Sequence, residues 1–120
     1  MKKIVQIFSE SERIENLLEE YNNGENKIRH FRGLSGSSQI MYLYPLISRL
    51  KGSHLFILED KESAAYFYND LVSLDGEERS LFFPSSYKRS IQYKKTDEAN
   101  IITRTQVLKR LNERRAASVI

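Results

Sequence analysis

A chain of 120 residues with 19 Lys and Arg against 16 Asp and Glu has a formal charge of +3. That leaves room for a single modest core and is too mild a charge to single out a polyanion as its partner. It has no cysteine, which excludes a disulfide framework and a thiolate metal centre and suits a reducing cytoplasm. No apolar run approaches the ~18 residues of a membrane span and none reads as a signal peptide, so no membrane is expected among its partners.

Taken in order, Ile4, Ile7 and Phe8 share a helical spacing, and a second stripe follows at Ile14, Leu17, Leu18 and Tyr21. Ser9 and Glu12, three apart, form the pattern of a capping box between the two stripes. Residues 2–22 therefore predict one broken helix or two short ones, closed at Gly24, where a left-handed conformation ends a helix at least cost. Residues 28–32 (Ile28-Arg29-His30-Phe31-Arg32) predict a first strand, and a Gly/Ser loop follows.

Beyond the loop, Ser37 or Ser38 can cap a helix whose apolar positions are Ile40, Leu43, Tyr44, Ile47 and Leu50. The unalternating run at 54–58 predicts a strand covered on both faces. Glu59 and Asp60 open a helix bearing Ala64, Phe67, Tyr68, Leu71 and Val72, which Asp75-Gly76 closes. A third strand is expected at Leu81, Phe82 and Phe83 before Pro84, then a loop over residues 85–95. A helix bearing Ile101, Thr105, Leu108 and Leu111 comes next, with Asp97 and Glu98 at its start as its dipole prefers. Residues 116–120 begin a fourth strand with no polar tail, as in a domain truncated at its C-terminus.

This alternation predicts an α/β fold, a three-layer parallel sheet with helices on both faces. The expected organisation is a helical segment over residues 1–27 and the first part of an α/β domain over residues 28–120. Ligands of such sheets bind at the C-terminal ends of the strands. Both the 33–38 loop and the basic 85–95 loop are expected there.

The loop Gly33-Leu34-Ser35-Gly36-Ser37-Ser38 has the outline of a phosphate loop, in which Gly, four residues and Gly-Lys-Ser/Thr cradle a nucleotide. Counted from Gly33, however, Ser38 stands at the second Gly, Gln39 at the Lys and Ile40 at the hydroxyl. Gln39 brings no charge to the terminal phosphates. Ile40 cannot hold magnesium, which takes oxygen ligands. The residues thus predict a degenerate phosphate loop with no catalytic residue, no metal ligand and no cofactor of its own.

The same residues miss the nucleophile elbow Gly-x-Ser-x-Gly, because Ser37 replaces its last glycine. His30 and His54, the two histidines, fall in or beside predicted strands, where they read as strand residues rather than bases or ligands. Tyr42, Tyr44, Tyr66 and Tyr68 lie at helical spacing and read as packing. In the 85–95 loop Tyr87, Lys88, Arg89, Tyr93, Lys94 and Lys95 interleave rings and cations, the composition of a nucleic-acid or partner contact. Acids crowd the first helices (Glu10, Glu12, Glu15, Glu19, Glu20) and cations the last third, a distribution that hints at nucleic acid nearby and that solvated helix faces explain as well.

With this order in place, the 33–38 loop, residues 55–60, Leu81-Phe82-Phe83-Pro84 and the helix through Thr105-Gln106-Val107-Leu108 resemble the start of the bacterial transcription-repair coupling factors, the Mfd family. Their N-terminal module is similar to the excision-repair protein UvrB but has lost its catalytic phosphate-loop residues. Gln39 and Ile40 are the departures such a module implies. The resemblance covers residues 28–120.

It implies a cytoplasmic ATP-dependent DNA translocase that binds double-stranded DNA, displaces stalled RNA polymerase and recruits UvrA. Its ATP and magnesium would be used by a motor outside these residues, leaving this segment a structural and regulatory scaffold. Two alternatives stay open: an active nucleotide-binding domain, and a freestanding nucleic-acid-binding α/β domain.

Overall fold

The computed structural model describes residues 2–24, 28–85, 95–113 and 117–120. They fall into two compact units, residues 1–51 and 52–120.

The first unit is helical. Helix α1 (Lys2–Ser9) and helix α2 (Glu12–Asn22) are separate because Ser11 leaves helical conformation between them, at φ −76° and ψ 135°, and its Oγ accepts from the Ile14 amide at 3.4 Å. The cap is thus Ser11 and not Ser9. Ser9 stays inside α1, where its hydroxyl donates to the Gln6 carbonyl at 2.9 Å. Gly24, at φ +74°, donates to the Tyr21 carbonyl past the end of α2, as a left-handed cap residue should.

Helix α3 (Ser38–Arg49) packs against both α1 and α2. Ile14, Leu18, Ile40, Met41, Pro45 and Ile47 form the core. At its end Arg49 pairs with Glu15 and donates to the Ser9 carbonyl at 3.2 Å, tying the three helices together.

The second unit alternates strand and helix. Strand β1 (His54–Leu55) leads to helix α4 (Lys61–Asp75), strand β2 (Ser80–Leu81), helix α5 (Lys95–Asn112) and strand β3 (Ser118–Val119). The strands are parallel in the order β1-β3-β2, with His54 and Ser80 both level with Ser118. Bonds beyond the strand ends extend the ladder: Phe56 N–H to the Val119 carbonyl at 2.8 Å and Phe83 N–H to the Ile120 carbonyl at 2.6 Å.

The central position of β3 explains why Ala117, Ser118, Val119 and Ile120 are all buried. Asp60 caps α4 by accepting from the Ser63 amide at 2.7 Å, and Gly76 ends it. From α4, Phe67 meets Phe56 at 4.9 Å between ring centroids and Tyr68 meets Phe82 at 5.6 Å, while Leu71 is fully buried.

The fold differs from the expected three-layer sheet with helices on both faces. The described residues are mostly helical, and their sheet is three strands of two residues each. Residues 28–32 form no strand, so no phosphate-loop fold is built around the 33–38 loop. Ile28 is 99% exposed, Arg29 pairs with Glu20 of α2, and Phe31 rests on Tyr42 of α3 at 5.2 Å. Local helical partners thus hold a segment that a strand neighbour would otherwise have to claim.

The run at 54–58 is covered on one face only, with Leu55 70% and Ile57 86% exposed. On α5 the expected apolar positions Ile101, Leu108 and Leu111 face solvent, and Val107 supplies the buried contact. No helix of the described residues is long and apolar enough to cross a membrane.

Candidate functional site

The loop before α3 is shaped by two glycines at positive φ, Gly33 at +80° and Gly36 at +53°. Between them the chain turns back on itself. Ser35 N–H donates to Ser38 Oγ at 2.8 Å, and the Ser38 hydroxyl donates to the Ser35 carbonyl at 2.7 Å. Ser38 N–H donates to that same carbonyl at 3.2 Å, and Gln39 N–H to the Gly36 carbonyl at 3.2 Å. These are overlapping turns with i to i+3 bonds, and they run straight into the helix.

Such bonding decides what the loop can do. A phosphate site at a helix start works because the first amides have no partner and converge on the anion. Here the amides of Ser35, Ser38 and Gln39 are already engaged, and so is the Ser38 hydroxyl. Ser37, the residue before the helix, is already in helical conformation and makes no side-chain cap.

Ile40, at the position where a nucleotide loop has its metal-binding hydroxyl, is 1% exposed and belongs to the core of the first unit. Gln39 is half-buried and uncharged. Gly33, Ser35, Gly36 and Ser37 are exposed, and Leu34 is half-buried.

The Ser35–Ser38 lock escaped the sequence reading, although two serines three apart before an apolar helix are its signal. Tyr42 lies between Phe8 and Phe31, at 6.4 and 5.2 Å, so its ring is a packing surface. Tyr66 is exposed on α4. Of the basic loop, Tyr87, Lys88, Arg89, Tyr93 and Lys94 lie outside the described residues, and Lys95 is the first residue of α5.

Near that end of the chain, the Arg104 guanidinium lies over the Phe83 ring at 4.6 Å, and Arg110 donates to the Glu78 carbonyl at 2.7 Å. Both cations therefore hold α5 to the segment around β2. His30 is exposed. His54, half-buried in β1, has its pKa lowered, first by burial and then by the charge of Arg79, with Asp75 opposing.

No family model, curated protein or solved structure matches this chain.

Proposed function

We propose that this chain is the opening scaffold of a bacterial transcription-repair coupling factor, a segment that catalyses nothing itself. The ATP- and magnesium-dependent motor, and the binding of double-stranded DNA, RNA polymerase and UvrA, belong to the longer polypeptide. The coupling-factor part of this reading rests on the sequence resemblance.

One observation carries the non-catalytic part. At the start of α3 the amides of Ser35, Ser38 and Gln39 are spent inside the loop, and Ile40 is turned into the core. A loop built in this way holds a helix in place. It presents no Lys charge, no hydroxyl for magnesium and few amides to a nucleotide.

The test pairs two preparations. The 120-residue chain alone is expected to hydrolyse no ATP, and the longer polypeptide that carries it is expected to release a stalled RNA polymerase from DNA with ATP and to bind UvrA. Polymerase left in place by the longer polypeptide contradicts the coupling-factor reading. Hydrolysis by the short chain contradicts the scaffold reading. Tight DNA binding by the short chain, falling steeply with salt, would favour the freestanding nucleic-acid-binding domain instead.

A further inference from the structure

Asn23 is the one asparagine of the chain that a glycine follows. The pair closes α2. Tyr21, Asn22, Asn23 and Gly24 are all exposed, and the last two amides end the helix by donating to the Glu19 carbonyl at 2.9 Å and the Tyr21 carbonyl at 3.0 Å. Fraying helix ends open at little cost in free energy, so the Gly24 nitrogen is repeatedly set free. Nothing hinders it. Gly24 has no side chain of its own, and even an added Cβ would meet nothing within 4 Å, so the peptide can rotate to bring this nitrogen against the side-chain carbonyl of Asn23.

We propose that Asn23 is a site of spontaneous covalent modification, deamidating to aspartate and isoaspartate, and that the carboxylate so formed loosens the end of α2. In the first step the Gly24 nitrogen bonds to Asn23 Cγ and the Cγ–Nδ2 bond breaks. Nδ2 leaves as ammonia with the proton that Gly24 gave up. The cyclic imide left behind is opened by one water at either of its carbonyls, which returns a proton to the nitrogen and yields one carboxylate. Opening at Cγ gives aspartate. Opening at the backbone carbon gives isoaspartate, in which the main chain runs through the side chain and is longer by a methylene. No oxidant or reductant takes part.

The other residue of this kind shows what protection looks like. Asp75 also precedes a glycine, but its side chain is 10% exposed and Oδ1 accepts from Arg79 at 3.3 Å, while Gly76 N–H donates to the Val72 carbonyl at 2.9 Å in the last turn of α4. Asn23 has no comparable cover.

The site also decides the consequence. A helix C-terminus carries the negative end of the dipole, and α2 has no basic residue in its last turn to offset a new anion. Glu19 stands one turn back. The added carboxylate therefore meets a like charge at i−4 as well as the dipole.

The test incubates the folded chain at neutral pH and maps its peptides by chromatography and mass spectrometry, which separate the aspartate and isoaspartate forms. Asn23 is expected to convert at least about tenfold faster than any other asparagine, to both products, with ammonia released in equal amount and a rate that rises with pH. Asn23→Gln, whose longer side chain closes a less favourable ring, is expected to stay unmodified at that position with the fold intact by circular dichroism. In hydrogen exchange, the amides of residues 23 and 24 are expected to exchange about threefold faster in freshly prepared Asn23→Asp than in Asn23→Gln. A folded chain in which Asn23 converts no faster than Asn16 or Asn22 overturns the modification, whether or not the urea-unfolded chain reacts there. Equal exchange in the two variants overturns the loosening of α2.

Discussion

Ile40 and Gln39 are neighbours in the chain with opposite weights. Burying an Ile side chain contributes roughly 1.5–3 kcal/mol, and a hydroxyl placed in the same apolar pocket finds no partner there. Ile40→Thr is therefore expected to lower stability by about 2 kcal/mol or more in urea unfolding, while Gln39→Lys, at a half-buried polar position, stays within about 0.5 kcal/mol. Equal effects from the two would show that the loop does not anchor the core.

Gly36 makes a separate case. An added Cβ there meets nothing within 4 Å, so the cost of Gly36→Ala is conformational and comes from φ +53° alone. About 1 kcal/mol is expected, and less for Gly36→Asn, because Asn tolerates the left-handed region. At this scale the sequence was informative wherever a residue type contradicted the motif around it. Ile in place of a metal-binding hydroxyl announced a packing role. The hydroxyl–amide lock between Ser35 and Ser38 was harder to see, because serine suits caps, turns and solvent equally well.

Among the elements, the helices were legible and the sheet was not. Helices α1, α2, α3 and α4 lie where periodicity put them, because their bonds are local, but of the expected side-chain caps only that of α4 formed: Asp60 reaches Ser63, whereas Ser11 replaces Ser9 at the start of α2 and Ser37 leaves α3 without a side-chain cap. A strand depends on a partner that the sequence does not name. Residues 28–32 had strand composition but found helical neighbours first, and the 54–58 run was apolar throughout yet covered on one face.

Two predictions belong to the sheet. Ser80 in β2 is 1% exposed, and its Oγ has no hydrogen-bond partner among the described residues. Ser80→Ala removes an unsatisfied group, so it is expected to leave stability unchanged or raise it by up to about 1 kcal/mol. A clear loss would mean that the hydroxyl has a partner.

His54 in β1 has a folded pKa below its ordinary 6.5, so the fold prefers the neutral ring. Its contribution to stability is complete above the unfolded value and is lost as pH falls through 6.5 toward the lower folded value, where the unfolded chain binds the proton first. Denaturant unfolding between pH 7.5 and 5 should show stability falling, and His54→Gln should flatten that slope. An unchanged slope in the variant assigns the pH dependence to other groups.

At the scale of the whole molecule, residues 1–51 gather three helices around a core that includes Ile14 and Ile40, and residues 52–120 wrap strand–helix alternation around a buried β3. The alternation and the parallel sense of the second unit could be read from the sequence. The number of strands could not, since it turned on where residues 28–32 found partners.

The central claim is that the loop before α3 is an element of packing and not a nucleotide site. The most direct measurement is calorimetric titration of magnesium-ATP into the 120-residue chain and into the Gln39→Lys, Ile40→Thr double variant, with circular dichroism confirming the fold. No saturable heat is predicted from either, because restoring the Lys and the hydroxyl leaves the amides of Ser35, Ser38 and residue 39 bonded within the loop. Magnesium-dependent binding by the native chain, or hydrolysis recovered by the double variant, would contradict the claim.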